Sequence, residues 1–364
     1  MKEHKKVSVA IIVASLGIGG AERSSAILSE MLVDHGYSVT IISEFDTVAY
    51  SYKGELLFLK GKTKWYWNKI TRLFRLRKLI KAGDYNYIIE TRSRKSSLKQ
   101  VFMNTLVFNG ARTIFMIHNY NFRLYFPKYK WLTRFLYQNA YQLVGVSKAI
   151  VEKFSTTYGL DNCQCIYNAH DLAQYERLSN AVDNIPDVPY IISYGRIVDE
   201  SKDYSFLLQS YAKSDLKALG VSLLIVGDGP DKERLKQNVK ELELENWILF
   251  KPFAANPFAL VKHALFTTLT SNYEGFPMVL VESMAVGTPI VSVDCNSGPA
   301  ELIQTGRNGI LVKNKTHQEF ASAMNKMILD KDFYYTCKEG TKQSIKIFSK
   351  ERIIEYWKNI LVRY

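Results

Sequence analysis

The stretch Ser271-Asn-Tyr-Glu-Gly-Phe-Pro-Met-Val-Leu-Val-Glu-Ser-Met-Ala-Val-Gly-Thr-Pro-Ile-Val-Ser-Val-Asp294 reads as a strand end, a loop, a helix and a new strand. An apolar run at 264–270 leads into it, and the pattern turns helical after Pro277. Pro277 suits a first helical turn, where its missing N–H is not needed. Gly287 ends the helix and Pro289 opens the next strand. The amides of 275–279 are therefore expected at a strand-end crevice beside a helix N-terminus, an anion site suited to a diphosphate. Glu274 falls on the loop and Glu282 on the inward side of the helix. Carboxylates accept hydrogen bonds from hydroxyls, so one suits a sugar and the other a ribose. Taken alone, two such glutamates are better read as ordinary exposed acids.

Short β-branched runs alternate with longer helical patterns through all 364 residues, the signature of parallel sheets covered by helices. Strands are predicted at 7–14, 38–43, 87–90, 113–117 and 142–146. A second set follows at 190–195, 222–226, 248–251, 264–270, 289–293 and 309–312. Between the sets, 176–189 carries Asn, Asp and two prolines without a clear period and is expected to be a linker. The length suits two domains. Two Rossmann-like α/β domains with a cleft between them follow, with ligands at the carboxyl ends of strands.

Charge is divided unevenly. The formal net charge is +13: residues 1–180 hold 26 basic and 13 acidic residues, whereas 181–364 hold 22 of each. The first half is therefore expected to face something anionic. Residues 60–81 contain nine Lys or Arg and no acid, interleaved with Trp65, Tyr66, Trp67 and Phe74. Residues 122–137 set Arg123, Lys128, Lys130 and Arg134 among aromatics. Both stretches suit the interface of an anionic membrane leaflet, although a solvated helix face packed on its own sheet has the same pattern. Nucleic acid is not expected, since no recognition motif accompanies the charge. The four cysteines form neither zinc-type pairs nor a dense disulfide framework, and a reducing compartment is expected. Lys2, Lys5 and Lys6 before an apolar run imitate a signal peptide. The run is short, β-branched and broken by Gly17, Gly19 and Gly20, so it reads as a buried first strand. No apolar segment reaches the roughly 18 residues of a membrane span.

With Ser297-Gly-Pro-Ala-Glu-Leu-Ile303 beyond it, the 271–294 stretch resembles the Glu-x7-Glu signature of glycosyltransferase family 4, of the GT-B fold. The resemblance implies that Glu274 contacts donor-sugar hydroxyls and Glu282 the ribose. It also sets Gly275, Phe276, Pro277, Met278 and Val279 against the donor. The Ser-Gly-Pro-x-Glu variant is similar to enzymes that build cell-surface polysaccharides, often from UDP-sugars. Ser193-Tyr-Gly-Arg196 with Lys202 resembles the family's Gly-Arg…Lys-Gly element, which implies a guanidinium and an ammonium beside the diphosphate. Asp203 stands where the family has glycine, so the loop is expected to differ in shape. The turn around Gly227 is similar to the Gly-x-Gly-Pro block. The 248–253 strand resembles the one whose end, at Phe253, holds the nucleobase by backbone groups, with Lys251 and Pro252 departing from the pattern.

In the first half, Gly17-Ile-Gly-Gly-Ala-Glu-Arg23 resembles the family's opening loop, where Gly19 and Gly20 let amides approach a phosphate or the acceptor. A dinucleotide loop would need the fuller GxGxxG spacing, which is absent. His118, after the 113–117 strand, falls where the family has a cleft histidine near the sugar; a lone histidine reads equally as structural. The ending resembles a closing helix packed back on the first domain. The expected division is 1–175 for the acceptor, 187–345 for the donor and 346–364 for that helix.

The resemblance thus implies a retaining, metal-independent transfer of a hexose or N-acetylhexosamine from a nucleotide sugar, preferably UDP-linked, to a lipid-linked or cell-surface glycan. Glu274, Arg196, Lys202 and His118 form the implied catalytic set, with no cofactor. The absence of an Asp-x-Asp motif at a strand end agrees. A cytoplasmic protein, peripheral on the inner face of a bacterial membrane, is expected. A sugar-nucleotide epimerase of the same fold and a non-catalytic partner subunit are the alternatives; Glu274, Glu282, Arg196 and Lys202 speak against the second.

Overall fold

Strands here are almost continuously apolar because both faces of each sheet are buried. The computed structural model describes residues 6–17, 19–59, 69–180 and 185–362. It divides into two compact units, Met1–Ala169 with Lys350–Tyr364, and His170–Ser349.

Among the described residues the first unit holds a seven-stranded parallel sheet: β1 (Ser8–Val13), β2 (Ser38–Ser43), β3 (Glu55–Phe58), β4 (Tyr87–Glu90), β5 (Thr113–Ile117), β6 (Gln142–Gly145) and β7 (Cys163–Cys165). Their spatial order is β3-β2-β1-β4-β5-β6-β7. The register pairs Ile11 of β1 with Ile41 on one side and Ile89 on the other. The second unit holds β8 (Tyr190–Tyr194), β9 (Ser222–Val226), β10 (Ile248–Lys251), β11 (Thr267–Leu269), β12 (Ile290–Val293) and β13 (Gly309–Val312), in the order β10-β9-β8-β11-β12-β13. Each order reverses once, between β1 and β4 and between β8 and β11. Those reversals are where ligands of open α/β sheets bind. Leu207, Tyr211, Leu223, Ile225, Phe266, Val291, Phe320 and Met324 form the second unit's core, each contributing about 1.5–3 kcal/mol through burial.

β3 and β7 lie outside the expected strands, and both are sheet edges. Glu-Leu-Leu-Phe of β3 is only partly buried and lacks β-branched residues, while β7 has three residues. Edge strands are covered on fewer sides, so their composition is less constrained.

The expected linker 176–189 is overlapped at its start by a helix. Leu172–Leu178 is a helix, capped by Asp171 accepting from Gln174 N–H at 2.9 Å. Its Tyr175 stacks on Phe258 with ring centroids 4.6 Å apart. That packing assigns the helix to the second unit, and the division falls at Ala169/His170 rather than after Tyr175. The closing helix Lys350–Ile360 belongs to the first unit. There Tyr37 Oη donates to Leu361 O and Tyr141 Oη to Ile360 O, at 3.2 and 2.9 Å. Of the basic stretch 60–81, residues 60–68 lie outside the described residues and the remainder belongs to helix Lys69–Gly83. No helix among the described residues is long and apolar enough to cross a membrane.

Candidate active site

Lys202 and Glu274 meet at the reversal of the second sheet. β8 leads through Gly195 and the exposed Arg196 to the turn Asp199–Lys202, and β11 leads to Ser271 and Glu274. The ammonium of Lys202 lies 2.5 Å from Glu274 Oε1, and Ser271 Oγ donates to the same oxygen at 2.6 Å. Asn272 N–H donates to Ser201 O at 2.8 Å, and Thr270 Oγ1 donates to Lys202 O at 3.0 Å, tying the two loops together. Lys315, beyond β13, donates to Asp203 Oδ2 at 2.6 Å and Asn272 Oδ1 at 2.5 Å, so it braces both loops.

Asp203 adopts a left-handed backbone, φ 52° and ψ 51°, which Asp tolerates better than most residues. A glycine would take the same turn. Either residue adopts this left-handed turn, and Asp203 adds a carboxylate to it. It caps helix Tyr204–Ala212 through Phe206 N–H at 3.2 Å and holds Lys315.

Pro277 is the N-cap of helix Met278–Ala285 rather than a residue of its first turn, and supplies no capping oxygen. The first-turn amides have no side-chain cap, the condition for anion binding at a helix N-terminus. Gly275, Phe276, Pro277 and Met278 are buried and Val279 is half-buried. Phe276 packs against Phe348 and His170, with ring centroids 5.1 and 6.5 Å away. Glu282 is buried facing Tyr194, whose hydroxyl donates between Val279 O at 2.8 Å and Glu282 Oε2 at 3.3 Å. Tyr194 was missed by the sequence reading. Its signal is its place as the last residue of β8, just before Gly195-Arg196.

Gly227 sits where the loops after β8 and β9 touch: a Cβ there would lie 1.9 Å from Gly195 O. No other residue fits that approach. Phe253 N–H, the expected nucleobase contact, donates to Asp228 Oδ2 at 2.7 Å, and Lys232 donates to Oδ1 of the same carboxylate at 2.6 Å. Lys232 and then the Phe253 amide hold the Asp228 carboxyl below its usual range. That amide is therefore already engaged.

In the first unit, Gly19 is the N-cap and Gly20 the first residue of helix Gly20–Asp34, which follows β1. At the end of β4, Arg92 forks onto Glu90, Nε to Oε1 at 2.8 Å and Nη2 to Oε2 at 2.6 Å. Arg92 Nη1 also lies 3.3 Å from Glu44 Oε2. Burial pushes the Glu90 carboxyl up, but Arg92 outweighs it and holds the group below the usual range. Arg94 donates to Met116 O at 3.3 Å, and its guanidinium lies 5.2–6.0 Å from the rings of Phe115, Tyr125, Phe126 and Tyr137. These charges were not expected, although Glu90-Thr-Arg92-Ser-Arg94 directly follows a strand.

His118 follows β5, and both of its ring nitrogens are buried without a hydrogen-bond partner among the described residues. Burial, then the Arg94 charge, pushes the imidazole down to about 4. It is therefore neutral near pH 7, able to donate one hydrogen bond and accept another, as a hydroxyl requires.

Residues 18–174 match the family described as Glycosyltransferase Family 4, and 175–344 match Glycosyl transferases group 1. The chain is 29% identical to the N-acetylgalactosamine-N,N'-diacetylbacillosaminyl-diphospho-undecaprenol 4-alpha-N-acetylgalactosaminyltransferase of Campylobacter jejuni, over 94% of this chain and 96% of that protein. It is 23% identical to the amylovoran biosynthesis glycosyltransferase AmsD of Erwinia amylovora, over the same shares. Among solved structures, Anabaena HepE in complex with UDP and glucose superposes with a TM-score of 0.79 at 19% identity, covering 98% of this chain and 99% of that one. A mutant of S. aureus TarM, in complex with Fondaparinux, alpha-GlcNAc-glycerol and UDP, gives 0.79 at 14% identity with the same coverage. At such identities the likeness is one of fold. With the two family matches running from residue 18 to 344 and two parallel Rossmann-like sheets beneath them, the chain belongs to the family 4, group 1 glycosyltransferases, transferase enzymes of the GT-B fold.

Proposed function

We propose that this glycosyltransferase moves a hexose or N-acetylhexosamine from a UDP-sugar to a lipid-linked glycan, with retention of anomeric configuration and without a metal ion. The reading rests first on the 2.5 Å contact of Lys202 with Glu274 at the reversal of the second sheet. Lys202, Arg196 and the uncapped amides at Met278–Ala285 supply the positive charge that a departing diphosphate requires. Glu274 holds the donor sugar and Glu282, steadied by Tyr194, the ribose. The bond from the anomeric carbon to the phosphate oxygen breaks as the acceptor oxygen bonds to the same face of that carbon. The acceptor's proton passes to the leaving phosphate. His118, neutral, orients a sugar hydroxyl.

The Campylobacter relative is named for an acceptor carried on diphospho-undecaprenol, and HepE and TarM were solved with UDP. An acceptor of that kind puts the enzyme at an anionic membrane surface. The first half of the chain carries the whole basic excess and supplies the matching charge. The test is a panel of UDP-, GDP- and ADP-sugars with a polyprenyl-diphosphate glycan, with and without EDTA, and product configuration read by NMR. UDP release, an unchanged rate in EDTA and retained configuration are expected. An inverted product, or activity abolished by EDTA and restored by a divalent cation, would overturn the corresponding part.

A further inference from the structure

Helix Lys130–Tyr137 presents two different faces. Thr133, Leu136 and Tyr137 are buried, and Tyr137 Oη donates to Gln100 Oε1 at 2.7 Å. On the opposite side Trp131 is 67% exposed and Phe135 63%, one helical turn apart, with Tyr129 just before them at 59%. Lys128, Lys130 and Arg134 are exposed beside them. Single exposed aromatics need no explanation, but three within two turns form a patch. Packing of this helix on its own domain uses the other face, so it does not account for these rings.

Charge selects the occupant. No carboxylate occurs between residues 122 and 137. A neutral glycan would stack on the rings without calling for three cations, whereas a phospholipid interface uses both features at once. Indole and phenol rings lie at the headgroup boundary, and Lys and Arg stems run along apolar surface while their charges reach phosphates. We infer that this face docks the enzyme on an anionic bilayer, with Tyr129, Trp131 and Phe135 entering the headgroup boundary and Lys128, Lys130 and Arg134 facing lipid phosphates. The inference rests on the membrane-acceptor reading above and names the element that carries it. Helix Lys69–Gly83 is the weaker candidate, because exposed Phe74 packs edge-on against Phe102 and Arg72 pairs with Glu44.

The test is flotation of the full chain with phosphatidylcholine vesicles, with and without phosphatidylglycerol. The variants are Trp131→Ser/Phe135→Ser and Lys128→Gln/Lys130→Gln/Arg134→Gln. Wild type should float with the anionic vesicles, and the triple charge variant should bind about 100-fold more weakly. Both variants should keep wild-type turnover of a short water-soluble acceptor, which reports that they fold, and lose turnover of a polyprenyl acceptor held in vesicles. Undiminished flotation of both variants would overturn the assignment to this helix and leave the membrane reading standing. Failure of the wild type to float would overturn both.

Discussion

In the second unit the reversal between β8 and β11 sets Lys202 against Glu274, with side chains 27% and 11% exposed. In the first unit Arg92 folds back on Glu90, two residues before it at the end of β4 and beside the reversal between β1 and β4, with side chains 7% and 1% exposed. Strand order is the same around both points, and each contact joins a cation to a carboxylate within 2.6 Å. Solvent access separates them. A pair closed off from water cannot lose a partner without leaving a bare buried charge, so Glu90 and Arg92 stay committed to each other. A pair open on one side can share its ammonium with an arriving phosphate and its carboxylate with a hydroxyl. Topology supplies the address, and burial decides whether a charge placed there is structural or chemical.

Four variants test this contrast. Arg92→Met should have the largest effect, about 3–5 kcal/mol of stability, because it strands a buried Glu90 carboxylate. A urea midpoint equal to wild type would remove the first half of the comparison. Lys202→Met should leave the urea midpoint nearly unchanged while lowering kcat about 10²–10³-fold, the usual loss for one group that stabilises leaving-group charge. If stability fell and turnover did not, the pairs would have exchanged roles.

His118 sharpens the picture through pH. Its folded-state value of about 4 lies below the ordinary 6.5, so the unfolded chain takes up the proton first as pH falls. Stability from this group is complete above about 6.5 and is lost between there and 4, by up to about 3 kcal/mol. Urea melts at pH 7.5 and 4.5 should show that loss in wild type, reduced in His118→Gln; an equal loss in both would place its origin elsewhere. The smallest effect belongs to Lys315→Met. It removes the brace between Asp203 and Asn272, whose groups are partly exposed, and should cost about 1 kcal/mol, or fivefold in kcat. Donor affinity should stay unchanged. An altered affinity with normal kcat would show that the brace shapes the donor pocket instead.

Much of this was legible in the sequence. All six strands of the second sheet, the helix after Pro277 and the Lys202 and Glu274 loops follow from apolar runs and from Gly and Pro positions, which act locally. The partner of Phe253 N–H was not legible, because Asp228 lies on a different loop. Nor was the burial of Phe276, which depends on Phe348 and His170 arriving beside it. Edge strands β3 and β7 were missed for lack of two covered faces. In 122–137 the sequence held the amphipathic pattern, while the structure selected Tyr129, Trp131 and Phe135 as the rings left in water.

By itself, the sequence determined the alternation of strand and helix, the two α/β halves, the glycosyltransferase signature and the basic excess of the first half. Those are properties of neighbouring residues or of composition. Only the tertiary structure decided which ions are sealed in pairs, which remain open, and that Lys315 braces Asp203 from 112 positions away. The reason is that an ion's role depends on the water and partners left to it, and distant segments supply or remove both only once the sheets have formed.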